Sequence, residues 1–145
     1  MSHVRDILDK KGTQVCTIGK EATVLQAALM MNDHKIGALV VTEGGRVVGM
    51  FTERDVLRRV VGEQRNPANT MVAEVMTAEV LCCTAQTDLE EARSVMRERR
   101  VRHLPVADGD GHLLGLISIG DLNAFHQDGQ EQTIFLLQEY MYGRV

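Results

Sequence analysis

Two short motifs stand out for the chemistry their spacing allows: Thr52-Glu53-Arg54-Asp55 and Ser118-Ile119-Gly120-Asp121. Each sets a hydroxyl three residues before a carboxylate, directly after an apolar run that reads as a strand. At a helix start such a pair satisfies exposed backbone N–H groups and is worth ~1 kcal/mol to any helix. The same arrangement can also bind. A helix N-terminus attracts an anion, and an acid one turn in can accept hydrogen bonds from the vicinal hydroxyls of a ribose. Such bonds are charge-assisted, ~1.5–3 kcal/mol each when kept from water. One occurrence would say little; two, at equivalent places in a repeated sequence, carry weight.

Other chemistries find no support. The five histidines fall at unrelated positions, and no GxSxG, HExxH or GxxxxGK sequence occurs, so catalysis is not expected. Cys16, Cys82 and Cys83 are odd in number, and two are adjacent. That spacing suits neither a disulfide framework nor a metal cage, so reduced, buried thiols and no metal are expected. A net charge of -4 argues against a DNA-binding protein. No apolar run approaches the ~20 residues of a membrane-spanning helix, and the opening Met1-Ser2-His3-Val4-Arg5-Asp6 lacks a signal-peptide core. The expected location is the cytoplasm, away from membranes.

The elements that must position the motifs occur twice. Val4-Arg5-Asp6-Ile7-Leu8 resembles Val72-Ala73-Glu74-Val75-Met76, Thr23-Val24-Leu25 resembles Thr87-Asp88-Leu89, and Val47-Val48-Gly49-Met50-Phe51 resembles Leu113-Leu114-Gly115-Leu116-Ile117. Each unit reads β-α-β-β-α, an α+β fold. Residues 15–18 and 80–84 form a first strand. A helix follows, opened by capping boxes Thr23/Gln26 and Thr87/Glu90. The inner faces of these helices are expected to be Leu25, Ala28, Leu29 and Asn32, and Leu89, Ala92, Val95 and Met96. A hairpin turns at Gly44-Gly45 or Gly109-Asp110-Gly111, and a last helix starts at Glu53 or Ile119. Residues 1–70 make the first repeat with its N-terminal segment and linker, and 71–127 the second. Residues 128–145 make a tail helix with the stripe Ile134, Leu137, Met141.

The blocks Ile36-Gly37-Ala38-Leu39-Val40-Val41, Gly49-Met50-Phe51-Thr52-Glu53-Arg54-Asp55, Val75-Met76-Thr77, Arg102-His103-Leu104-Pro105-Val106 and Gly115-Leu116-Ile117-Ser118-Ile119-Gly120-Asp121 resemble those of CBS (cystathionine β-synthase) domains. The resemblance spans roughly residues 4–125. It implies two βαββα units packed with pseudo-two-fold symmetry, with two clefts that bind adenine nucleotides. AMP is the first choice; ADP, ATP, NAD(H) or S-adenosylmethionine are the alternatives. Carried across, Asp55 and Asp121 hold riboses, with Thr52 and Ser118 beside ribose or phosphate. Lys35, Ile36, Gly37 and Ala38, and Val101, Arg102, His103, Leu104 and Pro105, line the adenine and phosphate ends. Thr17, Ile18, Cys83 and Thr84 close the adenine pocket.

Within the basic stretch Arg97, Arg99, Arg100, Arg102 and His103, the resemblance puts Arg102 and His103 near phosphate. The others read as solvated cations at a helix end. Arg54, like Arg102 and His103, is expected at the ligand, because it flanks a helix N-terminus beside the implied phosphate. The first cleft has Gly37-Ala38 where the second has Arg102-His103, so unequal affinity, or one empty site, is expected. The helices from Glu53 and Ile119 carry Val56, Leu57, Val60, Val61, Leu122 and Phe125. This is more apolar surface than one repeat covers, and a homodimer through these helices is expected. The function implied is a nucleotide-responsive regulatory module acting on an unknown protein partner. The competing reading is a constitutive assembly protein with vestigial clefts.

Overall fold

The computed structural model describes residues 2–130. Helix α1 (Val4–Lys11) leads into β1 (Thr17–Gly19), α2 (Val24–His34), β2 (Ala38–Glu43), β3 (Arg46–Thr52) and α3 (Glu53–Asp55), which continues as a π-helical stretch, Val56–Val61. After the linker come α4 (Val72–Val75), α5 (Leu89–Arg99), β4 (His103–Ala107), β5 (Leu113–Ser118) and α6 (Ile119–Gln130). The α+β class and the repeat are as expected, with the βαββα order complete in the first unit and short of its first strand in the second. α6 runs on through the polar residues after Phe125, and the stripe Ile134, Leu137, Met141 lies outside the described residues.

In the first repeat β1 pairs parallel to β2, and β2 antiparallel to β3. In the second, β4 and β5 form the hairpin, and the expected strand at 80–84 shrinks to one parallel bridge between Cys83 and Val106. The cause is local. The Thr84 N–H donates to Thr87 Oγ1 at 3.0 Å, and the Gln86 N–H turns back toward Thr84 Oγ1 at 3.3 Å. Short polar side chains thus take backbone groups that a longer strand would have paired.

This also undoes the Thr87/Glu90 capping box. Thr87 is occupied by Thr84, so Asp88 caps α5 instead, its Oδ1 accepting the Glu90 N–H at 2.7 Å. The Thr23/Gln26 box does form, with bonds of 2.9 and 3.1 Å. The buried face of α5 includes Ala92 and Met96, with Leu89 and Val95 packed beside them. On α2 the expected face is wrong. Val24, Ala27 and Met31 are buried, while Leu25 and Leu29 are 42% and 53% exposed. Both stripes are apolar at helical spacing. The linker selects between them, because Val24 and Leu25 N–H groups donate to the Thr70 and Pro67 carbonyls at 2.8 and 3.0 Å.

The cores are crossed. Val4, Ile7 and Leu8 of α1 pack with Ala92, Met96, Leu104, Ile117 and Leu122 of the second repeat. Val72 and Val75 of α4 pack with Val24, Leu39, Phe51 and Val60 of the first. The docking is the same in both. Val4 and Arg5 N–H groups donate to the Thr87 and Ala85 carbonyls, each at 2.9 Å, and Val72 and Ala73 to Ala22 and Lys20 at 2.8 and 2.9 Å. Each crossing helix meets a glycine of the last strand: a Cβ on Gly115 would lie 2.8 Å from Leu8 Cδ2, and one on Gly49 3.0 Å from the Thr77 carbonyl oxygen. A third cluster, Ala38, Val40 and Met50 with Val47, Val80, Leu113 and Leu116, joins the two sheets. Burying each such aliphatic side chain contributes on the order of 1.5–3 kcal/mol.

Candidate functional site

Strand β3 ends at Thr52 and β5 at Ser118, each in extended backbone, so each hydroxyl faces the first turn of the next helix. Thr52 Oγ1 accepts the Asp55 N–H at 3.3 Å, and Asp55 Oδ2 accepts the Thr52 N–H at 3.0 Å. Ser118 Oγ and Asp121 Oδ2 repeat this with distances of 3.1 and 2.9 Å. The capping role is therefore real in both repeats. It also fixes each carboxylate in one orientation beside a helix N-terminus. Asp55 is buried and Asp121 half-buried.

The strand entries are brought to the same places. Lys35 and Arg100 end α2 and α5 with left-handed φ values of 55° and 56°, turning the chain sharply into β2 and β4. Neither is glycine, so each turn costs about 1–2 kcal/mol that the surrounding packing must offset. The Gly37 carbonyl then accepts the Glu53 N–H at 3.0 Å, and the Arg102 carbonyl accepts the Ile119 N–H at 2.9 Å. A Cβ on Gly37 would fall 2.8 Å from Glu53 Oε1, so a larger residue there would displace the exposed Glu53 side chain. Ala38 pairs with Thr52 and His103 with Ser118 across the hairpins. Gly37, Ala38, Thr52 and Asp55 thus share one end of the first repeat, and Arg102, His103, Ser118 and Asp121 the matching end of the second. Arg54 bridges them, its Nη1 donating to the Arg100 carbonyl at 3.5 Å.

The remaining predicted residues are placed less directly. Lys35, Val101 and Arg102 are exposed and Ile36 is half-buried. Thr17 is exposed at the start of β1, while Ile18 points into the first core. Cys83, Leu104 and Pro105 are buried, and Thr84 is exposed. Cys83 and Leu104 line a cavity of about 130 Å³ beside α5, with Ala92 and Val95. It holds neither aspartate and is well below the ~300–1,000 Å³ of small-molecule sites.

Two cations at the site lie outside the residues singled out from the sequence. Arg59 Nε lies 3.7 Å from Asp55 Oδ1, and its Nη1 donates to the Val75 and Met76 carbonyls at 3.2 and 3.0 Å. Lys11 Nζ lies 2.7 Å from Asp121 Oδ2 and donates to the Leu116 carbonyl at 2.9 Å. Arg59 sits one turn past Asp55, a spacing that could have flagged it. Lys11 is 110 residues from its partner, and no local pattern could have found it.

Burial, then the neighbouring Arg102 charge, pushes the His103 imidazole below its ordinary pKa, against a smaller upward pull from Asp121. It is therefore neutral at pH 7. Burial raises the Cys83 thiol to about 12, with Cys82 adding to the effect, so it is no thiolate nucleophile. Among the described residues, Asp108, Asp110 and His112 lie close enough together to hold a cation. Asp108 Oδ1 there accepts the Asp110 and His112 N–H groups, each at 2.9 Å, and serves the hairpin turn.

The sequence and fold are similar to those of known proteins. The CBS domain family pattern fits residues 4–62 and 72–126. The CBS domain-containing protein YhcV of Bacillus subtilis is 36% identical over 122 residues, 84% of either chain. The structure of a protein with CBS domains from Burkholderia ambifaria shares 41% identity, covers 89% of this chain and 96% of its own, and superposes with a TM-score of 0.84. The CBS domain pair of protein MJ0100, solved with 5'-methylthioadenosine and S-adenosyl-L-methionine, has the same fold at 19% identity, 90% and 99% coverage and a TM-score of 0.78. The chain belongs to the CBS domain family and carries two CBS domains in tandem.

Proposed function

We propose that this protein is a non-catalytic regulatory module whose two clefts bind an adenosyl ligand, AMP first among them, and that binding changes its shape or its affinity for a protein partner. One observation carries the reading: the duplicated, oriented carboxylates Asp55 and Asp121, each beside a helix N-terminus and a strand entry. A carboxylate so held can take ribose hydroxyls while the helix end and Arg102 favour phosphate. The adenosyl ligands in the MJ0100 pair support the class, though not the choice of AMP. Three free cysteines suit a reducing compartment such as the cytoplasm. Native mass spectrometry of freshly purified protein, followed by calorimetry against AMP, ADP, ATP, NAD, NADH and S-adenosylmethionine, tests this. Micromolar binding of AMP is expected; silence from all six would favour a constitutive assembly protein.

A second copy of the chain is the partner that α3 and α6 suggest. Of the apolar residues on these helices, Val60 and Leu122 are used by their own repeats, but Leu57 and Val61 are 63% and 62% exposed. Analytical ultracentrifugation at tens of micromolar should show a dimer, and Leu57→Glu should shift it to monomer. A wild-type monomer would exclude the assembly.

A further inference from the structure

We propose that Lys11 is a specificity-determining residue of the second cleft. Helix α1 delivers it there as the cation that lets Asp121 hold a ribose while a phosphate sits nearby, so this cleft selects phosphate-bearing adenosyl ligands over uncharged ones. The inference rests on the adenosyl reading above.

The two repeats neutralise their aspartates by opposite means. In the first the cation is Arg59, four residues along the same helix, with its guanidinium also fixed on the Val75 and Met76 carbonyls. The equivalent position in the second repeat is Phe125, which cannot serve. There the cation comes from α1. Counted from Val4 and Val72, the position matching Lys11 is Glu79, of opposite charge and beyond the end of α4. The cation comes from a different position in each repeat while the aspartate and its cap stay the same.

Lys11 is more than a surface lysine beside a surface acid. Its helix is anchored by buried Val4, Ile7 and Leu8 and is closed one residue later by Gly12 at φ 92°. The ammonium spends two of its three donors on Asp121 Oδ2 and the Leu116 carbonyl. The side chain keeps 37% of its surface exposed, so the third donor can reach a ligand. Both Lys11 and the Ser118 cap bind Oδ2, which leaves Oδ1 for a ribose hydroxyl. An AMP phosphate carries about -1.5 to -2 charge at pH 7 and would be repelled by an uncompensated Asp121. His103, opposite Ser118, is neutral at that pH, so compensation falls to Lys11 and Arg102. In the first cleft Gly37 replaces Arg102 and Ala38 replaces His103, and Arg59 is tied through its Nη1 to two protein carbonyls. An uncharged adenosyl ligand meets no such disadvantage there.

Calorimetric titration of AMP and of adenosine into wild type, Lys11→Met and Lys11→Arg tests this, with each melting curve recorded. Wild type should prefer AMP, a preference that weakens with added salt. Lys11→Met should lose about tenfold in AMP affinity at one site and stay within about twofold for adenosine. Lys11→Arg should retain most of the AMP preference. Equal losses for AMP and adenosine, or no loss of either, would overturn the role of Lys11 alone. If wild type binds adenosine as tightly as AMP, the selectivity is absent whatever the variants do. If it binds neither, the proposal falls, and the adenosyl reading falls with it if ADP, ATP, NAD, NADH and S-adenosylmethionine are silent too.

Discussion

The first and second clefts share a backbone and differ in charge. Each ends a strand in a hydroxyl, caps a helix with it and locks an aspartate one turn in, with bond lengths that agree to a few tenths of an ångström. Around that constant frame the first cleft places Gly37, Ala38 and an internal Arg59, and the second Arg102, His103 and the incoming Lys11. Duplication preserved what holds the carboxylate and left free what surrounds it. Capping geometry is dictated by backbone N–H groups that every helix start exposes. The counter-ion needs only to arrive from somewhere, and the two repeats took different routes.

The largest effect should come from loosening the helix that carries Lys11. Leu8→Ala removes a buried side chain from the second core and should cost about 2–5 kcal/mol in urea denaturation. At protein concentrations and temperatures where the variant is folded, the second cleft should lose AMP affinity and the first should not. Val75→Ala in α4, at the position matching Ile7, removes a buried side chain from the first core and should affect the first cleft instead. Equal losses at both clefts in either variant would show that the two sites are not tied to their own crossing helices.

A smaller contrast is available at the paired glycines. At Gly49 a methyl group would press on Met76 and on the Thr77 backbone, which cannot rotate aside, whereas at Gly115 it meets only the movable end of Leu8. Gly49→Ala should therefore cost about 1–3 kcal/mol, and Gly115→Ala less. The reverse order in melting experiments would mean that α1 is held more rigidly than α4.

The smallest effect separates His103 from Ala38. The folded chain lowers the imidazole pKa, so below pH ~6.5 the unfolded chain takes up a proton that the folded one resists. Stability from this group is complete above that pH and declines as pH falls through the lower, folded value. Between pH 7.5 and 5.5 wild type should lose more stability than His103→Gln. Identical pH profiles would place His103 outside any desolvated site.

Much of this was legible in the sequence because it is local. The Thr52/Asp55 and Ser118/Asp121 pairs, the α2 cap and the hairpin glycines all act over two to four residues. The failures were local as well, where two rules competed. Thr87 could cap α5 or bind the Thr84 N–H, and it did the latter. On α2, Leu25 and Leu29 form as regular a stripe as Val24, Ala27 and Met31, and only the linker's carbonyls select the rotation. What no spacing could reveal is the crossing of α1 and α4 between cores, and with it the approach of Lys11 to Asp121. The sequence likeness of the segments beginning at Val4 and Val72 marks them as equivalent; it does not say that each packs on the other repeat.

The central claim is that Asp55 and Asp121 hold ribose in two unequal clefts. AMP titrated calorimetrically into wild type, Asp55→Asn, Asp121→Asn and the double variant, each checked for fold by circular dichroism, tests it most directly. Asp121→Asn should weaken the tighter site ten- to a hundredfold, about 1.5–3 kcal/mol. Asp55→Asn should weaken only the looser one, and the double variant both. A folded double variant that binds AMP as tightly as wild type would contradict the account.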